Sequence, residues 1–320
     1  MDIITTAHLT KYYGKSRGII DLSLNVRKGE FFGFIGPNGA GKSTTIRILL
    51  GLIHASSGSA SVLGMDISAR RRKILENIGY IPSEAMFYHS TTVAELLRLS
   101  ANLRRKDCSE EARRLCERLQ LDPAQKTDSL SLGSRKKVSI ACALQHRPDL
   151  YIFDEPTSGL DPLIQKEFFD LLRERNAQGA TIFLSSHILS EVQKYCSRAA
   201  VIREGQIAAC GDIAQLSQTN AKRITLAGVD EQQLRRLLEE ICRADIQLSA
   251  SAPAASNSEP DAGPHRKGAD IRDFRTADST ATFLFQGNVK ELMDRLTQIS
   301  YTDITVTEPD LNEIFMHFYE

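Results

Sequence analysis

Ten residues, Gly36-Pro37-Asn38-Gly39-Ala40-Gly41-Lys42-Ser43-Thr44-Thr45, limit what this chain can fold into. They fit the spacing G-x-x-x-x-G-K-[ST]. An apolar, aromatic run at 31–35 precedes them, and 46–52 carries apolar residues at helical spacing. Strand, glycine-rich turn and helix in that order predict a phosphate-binding loop. Glycines let backbone N–H groups approach a polyphosphate closely and take φ > 0. A helix beginning near Lys42 aims its unpaired N–H groups and positive dipole end at the same anion. In such a loop Lys42 bridges the β- and γ-phosphates and Ser43 offers its hydroxyl to Mg²⁺.

At 320 residues the chain has room for two domains. Lys+Arg and Asp+Glu both total 40, so no bulk charge favours nucleic acid or an anionic membrane. Six cysteines (108, 116, 142, 196, 210 and 242) are scattered without a C-x-x-C pair, as reduced structural thiols would be. No apolar run approaches the roughly 18 residues of a membrane span, and the first eleven residues lack a signal-peptide pattern. The expectation is a cytosolic protein that reaches a membrane only through a partner.

Taken in order, 3–9 and 20–26 read as strands. Between them lies Lys11-Tyr12-Tyr13-Gly14, where one tyrosine could stack on an adenine and either could be an ordinary surface or core ring. Short strands at 59–62 and 77–81 follow. Amphipathic helices at 92–103 and 110–121, the second stopped by Asp122-Pro123, belong to a helical insert over about 84–147. A further helix opens at Ser131 and runs through 143. Its basic start, Arg135-Lys136-Lys137, opposes the helix dipole; it either faces an anion or is a solvated face. Residues 150–155, Leu-Tyr-Ile-Phe-Asp-Glu, describe a buried parallel strand with two carboxylates at its C-terminal edge, where ligands bind in open α/β sheets. Paired with the phosphate loop, Asp154 is expected to hold Mg²⁺ and Glu155 to polarise an attacking water. A tight turn at 158–162 precedes a helix at 163–175. The strand 181–184 ends at Ser185-Ser186-His187, placing His187 to hydrogen-bond a γ-phosphate, and 198–202 with 206–210 form a closing hairpin.

The chain changes character near 216, which divides it into a domain at 1–215 and another at 216–320. The second reads as strand 222–226, helix 231–241, a strand at 245–248, a disordered loop over about 249–273, strand 282–285, helix 289–299, strand 304–307 and helix 311–318. The fold class expected is α/β: a phosphate-loop NTPase core with a helical insert, followed by a small α+β ferredoxin-like unit whose central hairpin the loop interrupts.

Residues 1 to about 215 resemble the ATP-binding subunit of an ABC transporter. Tyr13 matches the family's adenine-stacking aromatic, and Gly36 through Thr44 match its Walker A loop. Leu130-Ser131-Leu132-Gly133-Ser134 occupies the signature segment, Asp154 and Glu155 match the magnesium ligand and catalytic carboxylate, Ser158-Gly159-Leu160-Asp161 the D-loop, and His187 the switch histidine. The resemblance implies ATP and Mg²⁺ as cofactors and a head-to-tail dimer in which each ATP lies between one subunit's Walker A loop and the other's Ser131 and Gly133. It also implies a permease partner at the inner face of the cell membrane. The segment 310–315 resembles the end of ATPases that serve ABC-2-type permeases, mostly exporters, and 130–162 looks like a subgroup for antibiotic or toxin export. A regulatory or resistance ATPase acting on a membrane partner without transport is the alternative. Two departures stand out: Ser83 takes the place of the family's glutamine after the Tyr-x-Pro strand, and the signature has Leu132 for Gly and Ser134 for Gln. The insert from 83 to about 121 is expected to dock the permease. One phosphate loop, no long heptad runs and neutral charge speak against translation-factor, SMC-like and nucleic-acid roles.

Overall fold

The computed structural model describes residues 1–84, 86–88, 90–217, 221–250 and 270–308. The chain divides into two compact units, Met1–Leu216 and Ser217–His317.

In the first unit β1 (Asp2–Tyr13) pairs antiparallel with β2 (Ser16–Arg27), and β3 (Phe31–Ile35) then leads through the glycine loop into α1 (Lys42–Leu49). There follow β4 (Ser57–Val62), β5 (Met65–Asp66), α2 (Arg71–Glu76), β6 (Ile78–Ile81), α3 (Val93–Leu103), α4 (Ser109–Arg118) and α5 (Leu132–Leu144). Next come β7 (Leu150–Asp154), α6 (Pro162–Ala177), β8 (Thr181–Ser186), α7 (Leu189–Tyr195), β9 (Arg198–Arg203), β10 (Gln206–Asp212) and α8 (Ile213–Ser217). Two sheets result. One is antiparallel, in the order β2-β1-β4-β5; the other runs β10-β9-β3-β8-β7-β6, parallel from β9 to β6 with β10 antiparallel at its edge.

Strands β3, β7 and β8 are buried along their whole length, which is why they read as continuous apolar runs and pair in parallel under helices on both faces. Phe183 packs its ring 5.8 Å from Phe32 and 5.3 Å from Phe34, a dense centre between β3 and β8. Gly33 has no side chain for a reason: a Cβ there would lie 2.4 Å from Val192 Cγ1, so α7 could not lie on β3. Because β3, β6, β7 and β8 run the same way, their C-terminal ends share one edge, and four loops meet there.

The insert is α3, α4 and α5. A capping box starts α3, with Thr92 Oγ1 accepting from the Glu95 N–H and Glu95 accepting from the Thr92 N–H. Charge joins α4 to α6: Arg118 pairs with Glu167 and with Glu174 (2.5 Å), and Arg114 with Glu174 (3.4 Å). The buried Glu111 accepts from Arg114 at 2.9 Å and from Arg147 and Arg175.

The second unit contains β11 (Ala221–Ala227), α9 (Glu231–Ala250), β12 (Asp270–Ala277), β13 (Thr280–Gln286), α10 (Val289–Leu296) and β14 (Asp303–Thr307). Its sheet is antiparallel in the order β12-β13-β11-β14. Ile224, Leu226, Phe283 and Phe285 form a core with Leu234, Leu238, Leu292 and Leu296 from the helices. Two expectations are corrected here. Residues 245–248 are the last turns of α9, not a strand; Leu234, Leu238, Ile241 and Leu248 recur at helical spacing, so the helix simply continues. At both ends of the span 249–273, expected as a loop, the described residues are regular: 249–250 close α9 and 270–273 belong to β12. The β12–β13 hairpin that follows is continuous from Asp270 to Gln286. The β12–β13 hairpin closes on Asp278 and Ser279 (φ 46° and 61°), a two-residue turn with both central residues left-handed. Residues 251–269 and the helix expected at 311–318 lie outside the described residues.

Candidate nucleotide site

The glycine loop is held from behind. A Cβ on Gly36 would sit 2.4 Å from the Ile202 carbonyl oxygen, and Gly41 enters α1 at φ 112° with Ile19 Cγ2 2.8 Å from the place of its missing Cβ. Only glycine meets both conditions. Gly205 N–H donates to the Ala40 carbonyl (2.9 Å), pinning the loop to the β9–β10 turn. Lys42 is 4% exposed, and its ammonium donates to the carbonyls of Gly36 (2.7 Å) and Pro37 (3.1 Å) and lies 3.1 Å from Glu155 Oε1. It thus sits inside the loop on acceptors that an anionic phosphate oxygen can replace.

The facing wall comes from β7 and β8. Asp154, 1% exposed, accepts from the Ser185 hydroxyl at 3.1 Å. Glu155 leaves the strand at φ 49°, an uncommon conformation for a side-chain-bearing residue, with its N–H on the Ser185 carbonyl (3.1 Å). That turn swings its carboxylate from the buried strand to the loop. His187 Nδ1 lies 3.2 Å from Glu155 Oε2, so Lys42, Glu155 and His187 form one chain of contacts. Behind them the Ser186 hydroxyl donates to Glu191 (2.9 Å), a carboxyl that burial pushes up. Burial first, and the charge of Asp154 second, push the Tyr80 hydroxyl up to about 12.

Among the described residues no cluster of three or more His, Cys, Asp or Glu could hold a metal. One carboxylate (Asp154) and one hydroxyl (Ser43) nonetheless fit Mg²⁺, which takes one or two protein ligands and completes its shell with phosphate oxygens and water.

The other expected residues fall into two groups. Tyr13 stands beside the loop, its hydroxyl 3.5 Å from Thr44 Oγ1 and its ring 45% exposed, whereas Tyr12 turns its N–H to Ser56. Ser131 is the N-cap of α5 and accepts from the Ser134 N–H at 3.1 Å. Asp161 caps α6, accepting from Leu163 (3.1 Å) and Ile164 (3.0 Å). A Cβ on Gly133 would meet the Gly159 carbonyl at 3.0 Å, so the signature segment and the D-loop turn touch each other. Among the described residues no hydrogen bond or ion pair joins Ser131, Gly133 or Asp161 to residues 36–45 of the same chain.

Sequence reasoning missed three residues. Ser185 and Ser186, which orient Asp154 and Glu191, had a visible signal: two hydroxyls ending an otherwise apolar strand. Lys136 stood out only as one of the basic run Arg135-Lys136-Lys137, and only the fold singles it out by burying it.

A glycine loop that holds a lysine, an acidic strand end opposite and a histidine at the next strand define a phosphate-loop nucleoside triphosphatase. The ABC transporter family model matches residues 19–158. The bacitracin transport ATP-binding protein BcrA of Bacillus licheniformis is 37% identical over 245 residues, covering 74% of this chain and 79% of the relative. The linearmycin resistance ATP-binding protein LnrL of Bacillus subtilis (strain 168) is 32% identical over 238 residues, 72% of this chain and 76% of its own. A solved ATP-binding subunit of an ABC transporter superposes with a TM-score of 0.64 at 32% identity, covering 68% of this chain and 92% of that one. The chain belongs to the ABC transporter family, as an ATP-hydrolysing subunit that powers transport. Cassettes of this family bind ATP, dimerise and pair with transmembrane permeases. Among the described residues no helix is long and apolar enough to cross a membrane.

Proposed function

We propose that two copies of this chain, or one copy and a similar subunit, clasp two Mg·ATP head to tail and so drive an ABC-2-type exporter at the inner face of the cell membrane. The observation that carries this reading is the Lys42–Glu155–His187 chain. A bound triphosphate takes Lys42 for its β- and γ-oxygens, which frees Glu155 Oε1 to accept the proton of an attacking water, while His187 donates to the γ-phosphate. Ser43 and Asp154 hold Mg²⁺, which offsets the phosphate charge when bound. Tyr13 stacks on the adenine. Gly36, Pro37, Asn38, Gly39, Ala40, Gly41 and Thr44 wrap the phosphates with backbone N–H groups.

The single loop leaves the far side of the γ-phosphate open. Ser131, Gly133 and Asp161 from the second subunit cover it and exclude water. Two exposed leucines support a partner at this surface: Leu132 beside Ser131 and Leu163 beside Asp161 stand 67% and 78% exposed. Met86 (90%), Tyr88 (72%) and Leu103 (68%) are likewise exposed in the insert, which supports permease docking over 83 to about 121. The export reading draws on the names of BcrA and LnrL, which concern bacitracin transport and linearmycin resistance.

Glu155→Gln is expected to lower turnover about 10²–10⁴-fold, the range for loss of a general base, and to accumulate an ATP-dependent dimer on gel filtration. A wild-type rate in that variant excludes Glu155 as the base. Chelating Mg²⁺ is expected to stop hydrolysis while fluorescent ATP still binds.

A further inference from the structure

Lys136 is 3% exposed, one of the few buried cations in the first unit. It lies on the second turn of α5, the helix that Ser131 caps. Its ammonium donates to the carbonyls of Pro82 (3.1 Å) and Ser83 (2.7 Å), the residues that leave β6 at the ligand edge of the sheet. Among the described residues no carboxylate comes within ion-pairing distance of it. Burial pushes its pKa down, and the charges of Asp154, Glu155 and Glu84 oppose that push. So, among the described residues, the hydrogen bonds of this ammonium go to backbone carbonyls at the end of β6.

We propose that Lys136 is a positioning residue for ATP hydrolysis: it ties the Pro82–Ser83 backbone to the start of α5 and so fixes that segment against Asp154 and Glu155. The inference rests on the nucleotide site proposed above. Ser83 stands where the resemblance calls for a glutamine, and its side chain is too short to cross the same gap. A long cation reaching in from the neighbouring helix, with its bonds on the main chain, holds the segment without any side chain from position 83. The clamp also joins two places that answer to different nucleotides: α5 begins at Ser131, on the face proposed for a second subunit, and Pro82–Ser83 follow β6, whose Ile81 pairs with Phe153 next to the chain's own Asp154. Closure of a partner on Ser131 therefore acts on the Ser83 segment through one side chain.

The test uses the purified full chain, wild type against Lys136→Met and Lys136→Arg. Without nucleotide, cleavage after the exposed Glu84 by a glutamate-specific protease, followed by mass spectrometry, reads the clamp directly. We expect Lys136→Met to raise that rate about tenfold, as a freed segment opens more often. With Mg·ATP, kcat is expected to fall about tenfold with KM for ATP within about twofold, the pattern of a group that orients but does not bind substrate. Lys136→Arg, which keeps charge and donors, recovers cleavage resistance and kcat to within about threefold. The inference is overturned if Lys136→Met leaves cleavage at Glu84 or kcat unchanged, or if the melting temperature falls and both variants lose activity alike. If Lys136→Met does not fold, Lys136→Gln, which keeps a donor without the charge, is judged by the same criteria. A wild-type chain that hydrolyses no ATP overturns the proposed site, while the cleavage comparison still decides the clamp.

Discussion

Gly36 and Gly39 belong to the same loop for different reasons, and the difference can be measured. Gly39 sits at φ 79° with open space around its missing Cβ, so Gly39→Ala carries only the left-handed backbone cost of about 1–2 kcal/mol. Gly36 is not left-handed, but its Cβ would meet a main-chain oxygen at 2.4 Å, and main chain cannot rotate away as a side chain can. Gly36→Ala is therefore expected to lower the melting temperature more than Gly39→Ala and to weaken ATP binding by at least about tenfold, roughly 1.4 kcal/mol. Equal effects in thermal melts and nucleotide titrations would show that the loop yields as a whole. Glu155 is the other residue whose backbone matters: at φ 49° its carboxylate turns out of the sheet toward Lys42, which a strand conformation continued past Asp154 would not do.

At the level of elements, α4 is fastened to the core by charge. Burial disfavours the ionised form of Glu111, but hydrogen bonds from Arg114 and Arg147 and the charges of Arg175 and Arg114 outweigh it and hold its carboxyl at about 2. A carboxyl depressed below its unfolded value stabilises the folded state fully above pH about 4.5, and that contribution is lost as pH falls toward about 2. The melting-temperature advantage of wild type over Glu111→Gln should thus shrink across this window and be constant above it. Glu111→Ala leaves Arg175, 2% exposed and with no partner for Nε and Nη1 among the described residues, as an unpaired buried cation. A loss of about 3 kcal/mol or more in denaturant titration is expected. A loss under about 1 kcal/mol would mean that water reaches Arg175 readily.

For the molecule as a whole, the two units have separate cores: Phe32, Phe34 and Phe183 centre one, Phe283 and Phe285 the other. Every residue assigned to the nucleotide site lies in the first unit. A chain ending at 216 is accordingly expected to bind fluorescent ATP with a Kd within about threefold of the full chain, about 0.6 kcal/mol. A truncated chain that folds, as judged by a cooperative melt, yet binds no ATP would show that the second unit completes the site.

The phosphate loop, the strands on either side of it and the acidic end at Asp154 and Glu155 could be read from the chain because each is a local pattern: glycine spacing, an unbroken apolar run, an acid pair at its end. The tail was read less well. Residues 245–248 alternate over four residues, and only the longer helical spacing from Leu234 onward places them in α9. Tertiary structure alone decided the rest. It set two serine hydroxyls on Asp154 and Glu191, and buried Lys136 while its neighbours in the basic run stayed nearer to solvent. Local residue order determines which backbone shapes are available, but a charge's partners are set by distances between strands and helices far apart in the chain.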